Sequence, residues 1–297
     1  MINKKRVLIL GGSGVLGRHL VYHFLNDGRY KISATYNSVR KLPAFFSDIK
    51  LIKFNYFKDD KLFLSKNKFD YVINCIAITP QRRKNSSLEE MYYVNSLLPS
   101  EILNNLSNES LFINISTDSV FSGKPSVINE CGSYSESAEC KPLDDYGISK
   151  ALGEVHTNNS LNIRTAFIGY GNKKYLLDWF LSQKKGSKIN GYVNYKCSLI
   201  SAAELSKAVS FLAENYVIGT VNVGSEVISK YDALCVIRKV FNKLIDIVPT
   251  DEPKINRSLD CTKLKNLGFI PKDFETQIIE LKELYAKFRT NRQYTKV

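Results

Sequence analysis

Two hydrophobic periodicities alternate along the chain. Residues 6–10 (RVLIL) form an unbroken apolar run rich in branched side chains, the pattern of a strand buried on both faces of a parallel sheet. A stretch of helical character, 18–26, follows and stops at Asp27-Gly28. Further strand patterns lie at 30–36, 49–54, 71–76, 111–116 and 161–165, with helical stretches at about 58–66 and 87–106 between them. Strands alternating with helices predict an α/β fold built on a doubly wound parallel sheet. Past 165 the pattern loosens, with helices expected at 175–183, 202–215, 230–242 and 274–290 and short strands near 219–223 and 244–248. The expected division is therefore a sheet domain over 1–170 and a smaller C-terminal α/β domain over 171–297. A segment around 195–224 is expected to return to the sheet, and 290–297 to fray.

The first strand runs into Gly11-Gly12-Ser13-Gly14-Val15-Leu16-Gly17, with Gly11, Gly14 and Gly17 in GxxGxxG spacing ahead of a helix. Glycines there let the backbone turn sharply, let a pyrophosphate approach the helix N-terminus, and let helix pack on strand. This strand–turn–helix at the chain start predicts a Rossmann dinucleotide site. The second strand ends at Asn37, about twenty residues past the last glycine, where a carboxylate often meets the ribose 2′-hydroxyl of NAD. No carboxylate stands there, and Arg40 and Lys41 suit a 2′-phosphate, which favours NADPH over NADH.

In such sheets ligands lie at the carboxyl ends of the strands, so 74–79 and 116–121 become site candidates, Thr79, Thr117 and Phe121 among them. A hydroxyl at Thr117 can donate to a substrate carbonyl. Tyrosine and lysine four apart share a helix face, and a fixed ammonium near a phenol favours the phenolate and tunes it as a general acid. The spacing occurs at Tyr146/Lys150, Tyr170/Lys174 and Tyr192/Lys196. Only the first opens a helix after a strand-end hydroxyl and a Gly/Pro/Ser-rich loop, 122–142, so Tyr146 and Lys150 are the catalytic candidates.

Composition alters this picture little. The chain has 297 residues, 44% of them hydrophobic, with no apolar run of membrane-spanning length and an N-terminus that leads straight into a strand. A cytoplasmic location with no membrane partner is expected. The net charge of +13 is spread along the chain, so phosphate-bearing ligands are expected and nucleic acid is not. Six scattered cysteines and no His/Cys ligand pattern predict free thiols and no metal site. His19 and His23 share a helix face and are expected to be packing or surface residues.

The order GGSGVLG, DYVINCIA, STDSVF, YGISKALGE and NIRTAF resembles the extended short-chain dehydrogenases, and within them the dTDP-4-dehydrorhamnose reductase family, over nearly the whole chain. GTVNVGSEVISKYDAL and NRSLDCTKL look like that family's C-terminal segments, which help to hold the nucleotide sugar. The resemblance implies Thr117, Tyr146 and Lys150 as the catalytic trio. It also implies Gly11, Ser13, Gly14, Val15 and Leu16 at the cofactor pyrophosphate and Ala77 near the nicotinamide ribose. The implied reaction is NADPH-dependent reduction of the C4 ketone of a dTDP- or UDP-linked 4-keto-6-deoxy hexose. Departures stand at Ser119, Ser122, Phe167 and Leu199-Ile200, around the family's sugar pocket. They point to a sugar other than 4-keto-rhamnose, with an N-acetylated 6-deoxy hexose on UDP as the named candidate. Ser119 after Asp118 departs from the acid pair of the 4,6-dehydratases, and Asn37 is not the acidic residue that epimerases tend to carry. The family also resembles the regulatory β subunit of methionine adenosyltransferase, so a non-catalytic role is the rival from another class. The oligomeric state is left open, with a homodimer among the options.

Overall fold

The computed structural model describes residues 4–37, 42–81, 85–124, 132–171, 175–289 and 291–292. Its first half runs β1 (Lys5–Leu10), α1 (Val15–Leu25), β2 (Tyr30–Tyr36), β3 (Leu42–Pro43), β4 (Lys50–Lys53), α2 (Leu62–Lys66), β5 (Tyr71–Asn74), α3 (Leu88–Tyr92), α4 (Leu98–Asn104), β6 (Leu111–Ile115), α5 (Asp145–Leu152) and β7 (Ser160–Ile168). The second half runs α6 (Leu176–Leu181), β8 (Lys188–Tyr192), β9 (Tyr195–Cys197), β10 (Leu199–Ser201), α7 (Ala202–Glu214), β11 (Gly219–Val223), β12 (Ile228–Ser229), α8 (Lys230–Val240), β13 (Asp246–Thr250), β14 (Ile255–Arg257), α9 (Thr262–Asn266), α10 (Phe274–Arg289) and β15 (Asn291–Arg292).

The main sheet has the order β10-β7-β6-β5-β1-β2-β4, and every pairing in it is parallel. β7 changes partner along its length, meeting β11 over Leu161 to Thr165 and β10 over Ala166 to Ile168. Helices cover both faces, and each face has its own apolar core, one holding Val7, Ile9 and Leu20, the other Leu8, Leu10 and Ile102. That two-sided burial is why β1 and β6 read as unbroken apolar runs. A third cluster, with Leu177, Ile247 and Leu281, forms the core of the C-terminal part. No described helix is long and apolar enough to cross a membrane.

One buried polar feature crosses the sheet. Asn74, Asn114 and Asn162 occupy facing register positions on β5, β6 and β7. Asn74 Nδ2 donates to Asn114 Oδ1 at 3.0 Å, and Asn114 Nδ2 donates to Asn162 Oδ1 at 3.3 Å and to the Gly153 carbonyl at 2.9 Å.

Three expectations are corrected. The helix expected over 87–106 is broken into α3, a π-helical turn at Tyr93–Leu97, and α4. Within that turn Asn95 is fully buried and brackets Ile78, accepting from its N–H at 2.9 Å and donating to its carbonyl at 3.0 Å. The strand expected at 244–248 lies at Asp246–Thr250, paired with β8. Residues 291–292, expected to fray, pair with β3. The small sheet β12-β9-β14 has strands of two or three residues, too short to leave a readable alternation in the sequence.

Candidate active site

The glycine turn lies at the carboxyl end of β1, where the chain leaves for β2 on one side and returns to β5 on the other. This is the topological switch point of the sheet. Gly11 has φ +74°, and a Cβ on Gly17 would run into the Gly11 carbonyl and sit 2.7 Å from Gly12 Cα. Only glycine lets α1 start this close to β1. No side chain caps α1 at Gly14, so its first N–H groups face outward and are suited to an anion. Gly14 is exposed, and Ser13 and Val15 are partly so, as a ligand-facing turn requires. The Leu16 side chain, however, is buried in the core, because position 16 falls on the inner face of α1; only its backbone can serve the turn. Asn37 is exposed just past β2, while Arg40 and Lys41 lie outside the described residues. Ala77 is partly buried in the loop after β5.

The catalytic candidates converge at the end of β6. Thr117, 7% exposed, begins a 3-10 turn, Asp118–Val120, and its Oγ1 accepts from the Ser119 N–H at 3.2 Å and donates to Asp118 Oδ1 at 3.2 Å. Helix α5 is capped by Asp144, whose Oδ1 accepts from the Gly147 N–H at 2.7 Å. A Cβ at Gly147 would collide with the Ser119 carbonyl, so glycine here seats the helix directly on the turn that carries Thr117. From the other side Asn95 Nδ2 donates to Ser149 Oγ at 3.0 Å, and Ser96 Oγ donates to the Ser149 carbonyl at 3.0 Å.

These contacts place Tyr146 within hydrogen-bonding reach of Thr117. Lys150, fully buried, donates its ammonium to the Ile115 carbonyl at 2.8 Å. Burial pushes the Tyr146 phenol well above its ordinary pKa, opposed by the Thr117 hydrogen bond and reinforced by the nearby Asp118, Tyr175 and Asp144. The sequence-based expectation of a phenol tuned downward is thus not met in this state, since desolvation outweighs the effect of any cation. Burial also lowers Lys150, to about 8, against the pull of Glu154 and Cys75.

Of the substrate candidates, Thr79 lies with its Oγ1 3.3 Å from the Tyr175 hydroxyl, which itself acts on Tyr146. Phe121 does not face the site. It is wholly buried, stacked on Tyr134 with ring centres 4.2 Å apart and beneath the Arg164 guanidinium, because the 3-10 turn rotates it inward. Sequence reading missed Asn95 and Tyr175, whose signals are single polar residues outside any motif, and did not single out Arg257 within the segment NRSLDCTKL. The other two Tyr/Lys pairs are not built like the first. Tyr170 is buried against Phe288 and Tyr285, its partner Lys174 lies outside the described residues, and Tyr192 and Lys196 belong to different strands.

A family model described as "RmlD substrate binding domain" matches residues 5–284. The chain belongs to that family. Among curated relatives it is similar to dTDP-4-dehydrorhamnose reductase of Aggregatibacter actinomycetemcomitans, 28% identical over 91% of this chain and 96% of that one. Among solved structures it is similar to a hypothetical dTDP-4-dehydrorhamnose reductase from Sulfolobus tokodaii, with TM-score 0.75, 27% identity, and 91% and 98% of the two chains covered. It also superposes on dTDP-4-dehydrorhamnose reductase from Bacillus anthracis in complex with NADP, with TM-score 0.75, 20% identity, and 95% and 99% covered. In this member of the RmlD substrate binding domain family, Ser119 accepts from Arg257 Nη1 at 3.1 Å. Phe167 is partly buried and pairs in register with Ile200 across β7 and β10.

Proposed function

We propose that this chain is an NADPH-dependent reductase of the C4 ketone of a nucleotide-activated 4-keto-6-deoxy hexose. The observation that carries the reading is the convergence of Thr117, Tyr146 and Lys150 at the end of β6, on the same sheet edge as the glycine turn. The turn fits a dinucleotide, because its helix start is uncapped and its glycines leave no Cβ in the way. Gly11, Ser13, Gly14, Val15 and the Leu16 backbone would hold the pyrophosphate, Asn37 and Arg40 the adenosine ribose and its 2′-phosphate, and Ala77 the nicotinamide ribose. When bound, the nicotinamide supplies hydride to the ketone carbon.

The chain's own residues supply the proton and its control. A phenol whose pKa is raised by burial stays protonated at neutral pH, so Tyr146 enters the reaction carrying the proton that the developing alkoxide needs. The Thr117 hydroxyl, beside the phenol, would turn its single hydrogen from Asp118 to the substrate carbonyl and so orient it. Lys150, one helical turn further on and largely protonated at pH 7, adds its charge and a donor for the cofactor ribose.

Thr79, Ser119 and Phe167 would meet the sugar. Relatives named as dTDP-4-dehydrorhamnose reductases support the nucleotide-sugar class. Ser119 and Phe167 depart from the family pattern, and the candidate we name on that ground is an N-acetylated 6-deoxy hexose on UDP. The test is NADPH oxidation across a panel of UDP- and dTDP-linked 4-keto-6-deoxy sugars, with the product configuration read by NMR. At least one substrate should turn over, and Tyr146→Phe should lower kcat by about 10²- to 10⁴-fold with NADPH affinity nearly unchanged. A Phe variant turning over at the wild-type rate would overturn the assignment.

A further inference from the structure

Two hydroxyls from opposite neighbours of β6 meet beside the Tyr146 phenol. In the sheet β6 lies between β5 and β7. Thr79 stands in the loop that leaves β5, and Tyr175 stands past β7, immediately ahead of α6. The Thr79 Oγ1 and the Tyr175 hydroxyl lie 3.3 Å apart, so side chains 96 residues apart in sequence join the two loops that flank the end of β6. Tyr175 also acts electrostatically on the Tyr146 phenol, which puts the pair next to the proposed proton donor.

The pair is not used up by the fold. Tyr175 occupies the N-cap of α6, a position where Ser, Thr, Asp or Asn would bond the free N–H groups of the first turn, yet its side chain caps nothing. Both side chains are partly exposed, and their mutual contact is the one hydrogen bond that either hydroxyl makes among the described residues. A hydroxyl carries one hydrogen and two lone pairs, so two that share one hydrogen keep another to donate and lone pairs to accept with. Such a pair suits a third group that both gives and takes a hydrogen bond.

The reaction narrows what that group is. Tyr146 would protonate the oxygen on C4, and polar groups beside it would meet the ring carbons next to C4. In a 4-keto-6-deoxy hexose C5 carries a methyl group, which makes no hydrogen bond, whereas C3 carries a hydroxyl, which both donates and accepts. We propose that Tyr175 and Thr79 together receive the C3 hydroxyl of the hexose, with Tyr175 the residue that makes the site selective for it. The inference rests on the reductase reading above. A phenol suits the task, since its ring holds the hydroxyl at a fixed reach with few rotatable bonds, and the contact with Thr79 sets its direction. A sugar without the C3 hydroxyl would leave these groups short of a partner, and sites built around such a bond reject the analogue that lacks it.

The test is a cycle of variants against ligands. Full-length wild type, Tyr175→Phe and Thr79→Val are titrated calorimetrically with UDP- and dTDP-linked 6-deoxy hexoses bearing the C3 hydroxyl and with their 3-deoxy counterparts, and NADPH oxidation is followed on the matching 4-keto sugars. On its preferred nucleotide, wild type should bind the hydroxyl-bearing sugar at least about tenfold more tightly than the 3-deoxy sugar. Tyr175→Phe keeps the ring and should lose most of that ratio, with affinities for the 3-deoxy sugar and NADPH and the melting midpoint unchanged. Thr79→Val should lose the ratio in the same way. The proposal is overturned if wild type binds both sugars alike or binds neither, if Tyr175→Phe keeps the wild-type ratio, or if both sugars weaken in parallel, since that marks packing of the ring alone. A cycle that holds in binding, in a protein that oxidises NADPH on no 4-keto sugar, would sink the reductase reading and leave the hydroxyl pair standing. Turnover with a flat cycle would do the reverse.

Discussion

A buried lysine such as Lys150 has a thermodynamic signature that can be read without substrate. Lys150 is withdrawn from water and its pKa falls to about 8, whereas the unfolded chain restores the ordinary value of 10.5. Below pH 8 both states are protonated and the folded state bears the whole cost of the buried charge. Between the two values the unfolded state binds a proton that the folded state does not, so stability rises with pH across that window. The rise should total on the order of 3 kcal/mol, at about 1.4 kcal/mol per pKa unit. Denaturation of the wild type and of Lys150→Met between pH 7 and 10.5 checks this: the variant should lack the rise, and equal slopes would refute it. At this scale the sequence was informative about identity and misleading about tuning. Tyr146, Thr117 and Lys150 could be picked from strand order, yet the upward shift of the phenol depends on burial, which four-residue spacing does not reveal.

Helix α5 shows how an element can be fixed by what it lacks. Its seat on the turn that carries Thr117 depends on Gly147, where an added Cβ would meet the Ser119 carbonyl and come within 2.7 Å of Pro142 Cβ. Gly147→Ala gains about 1 kcal/mol of helix propensity but incurs about 1–3 kcal/mol of overpacking, so a net destabilisation of up to about 2 kcal/mol is expected. Turnover should fall further than stability accounts for, because Tyr146 and Thr117 are pushed apart. Gly28→Ala, where a Cβ meets nothing within 4 Å, is the control and should leave both unchanged. Thermal unfolding and steady-state kinetics on the pair decide it. The helix itself was legible from the sequence, and so was the strand before its loop, whereas the Asp144 cap was not singled out. The π-helical turn that holds α5 from behind was not, since Asn95 sits within an otherwise ordinary helical pattern and its partners at Ile78 and Ser149 are 17 and 54 residues away.

Across the molecule, the strand alternation exposed the parallel sheet, and the pattern at 219–223 marked β11, whereas β10, three residues long, was not singled out. The shortest pairings escaped because two- and three-residue strands have no period to read. Long-range polar ties escaped too, and one holds the sheet to the site. Arg164 on β7 donates from Nε and Nη2 to Glu154 just past α5, at 2.9 and 2.8 Å, with both side chains under 10% exposed. Ser116 Oγ donates to the same carboxylate at 2.7 Å, and Arg164 Nη1 reaches the Glu136 carbonyl at 3.1 Å. Glu154→Gln leaves the guanidinium without its counter-charge and should cost about 3–5 kcal/mol in denaturant unfolding, against under 1 kcal/mol for an exposed pair such as Lys141–Glu139. The asparagines that cross the sheet carry a different consequence. Ala77 stands three residues beyond Asn74, and Thr117 three beyond Asn114, so the amides mark a common origin from which both site positions are counted. Slipping one strand by a residue would strand buried amides and also shift the Thr117 hydroxyl by about 3.3 Å. Misalignment of the site and misfolding of the sheet are therefore one event, and a chain that has folded has already measured out its active site.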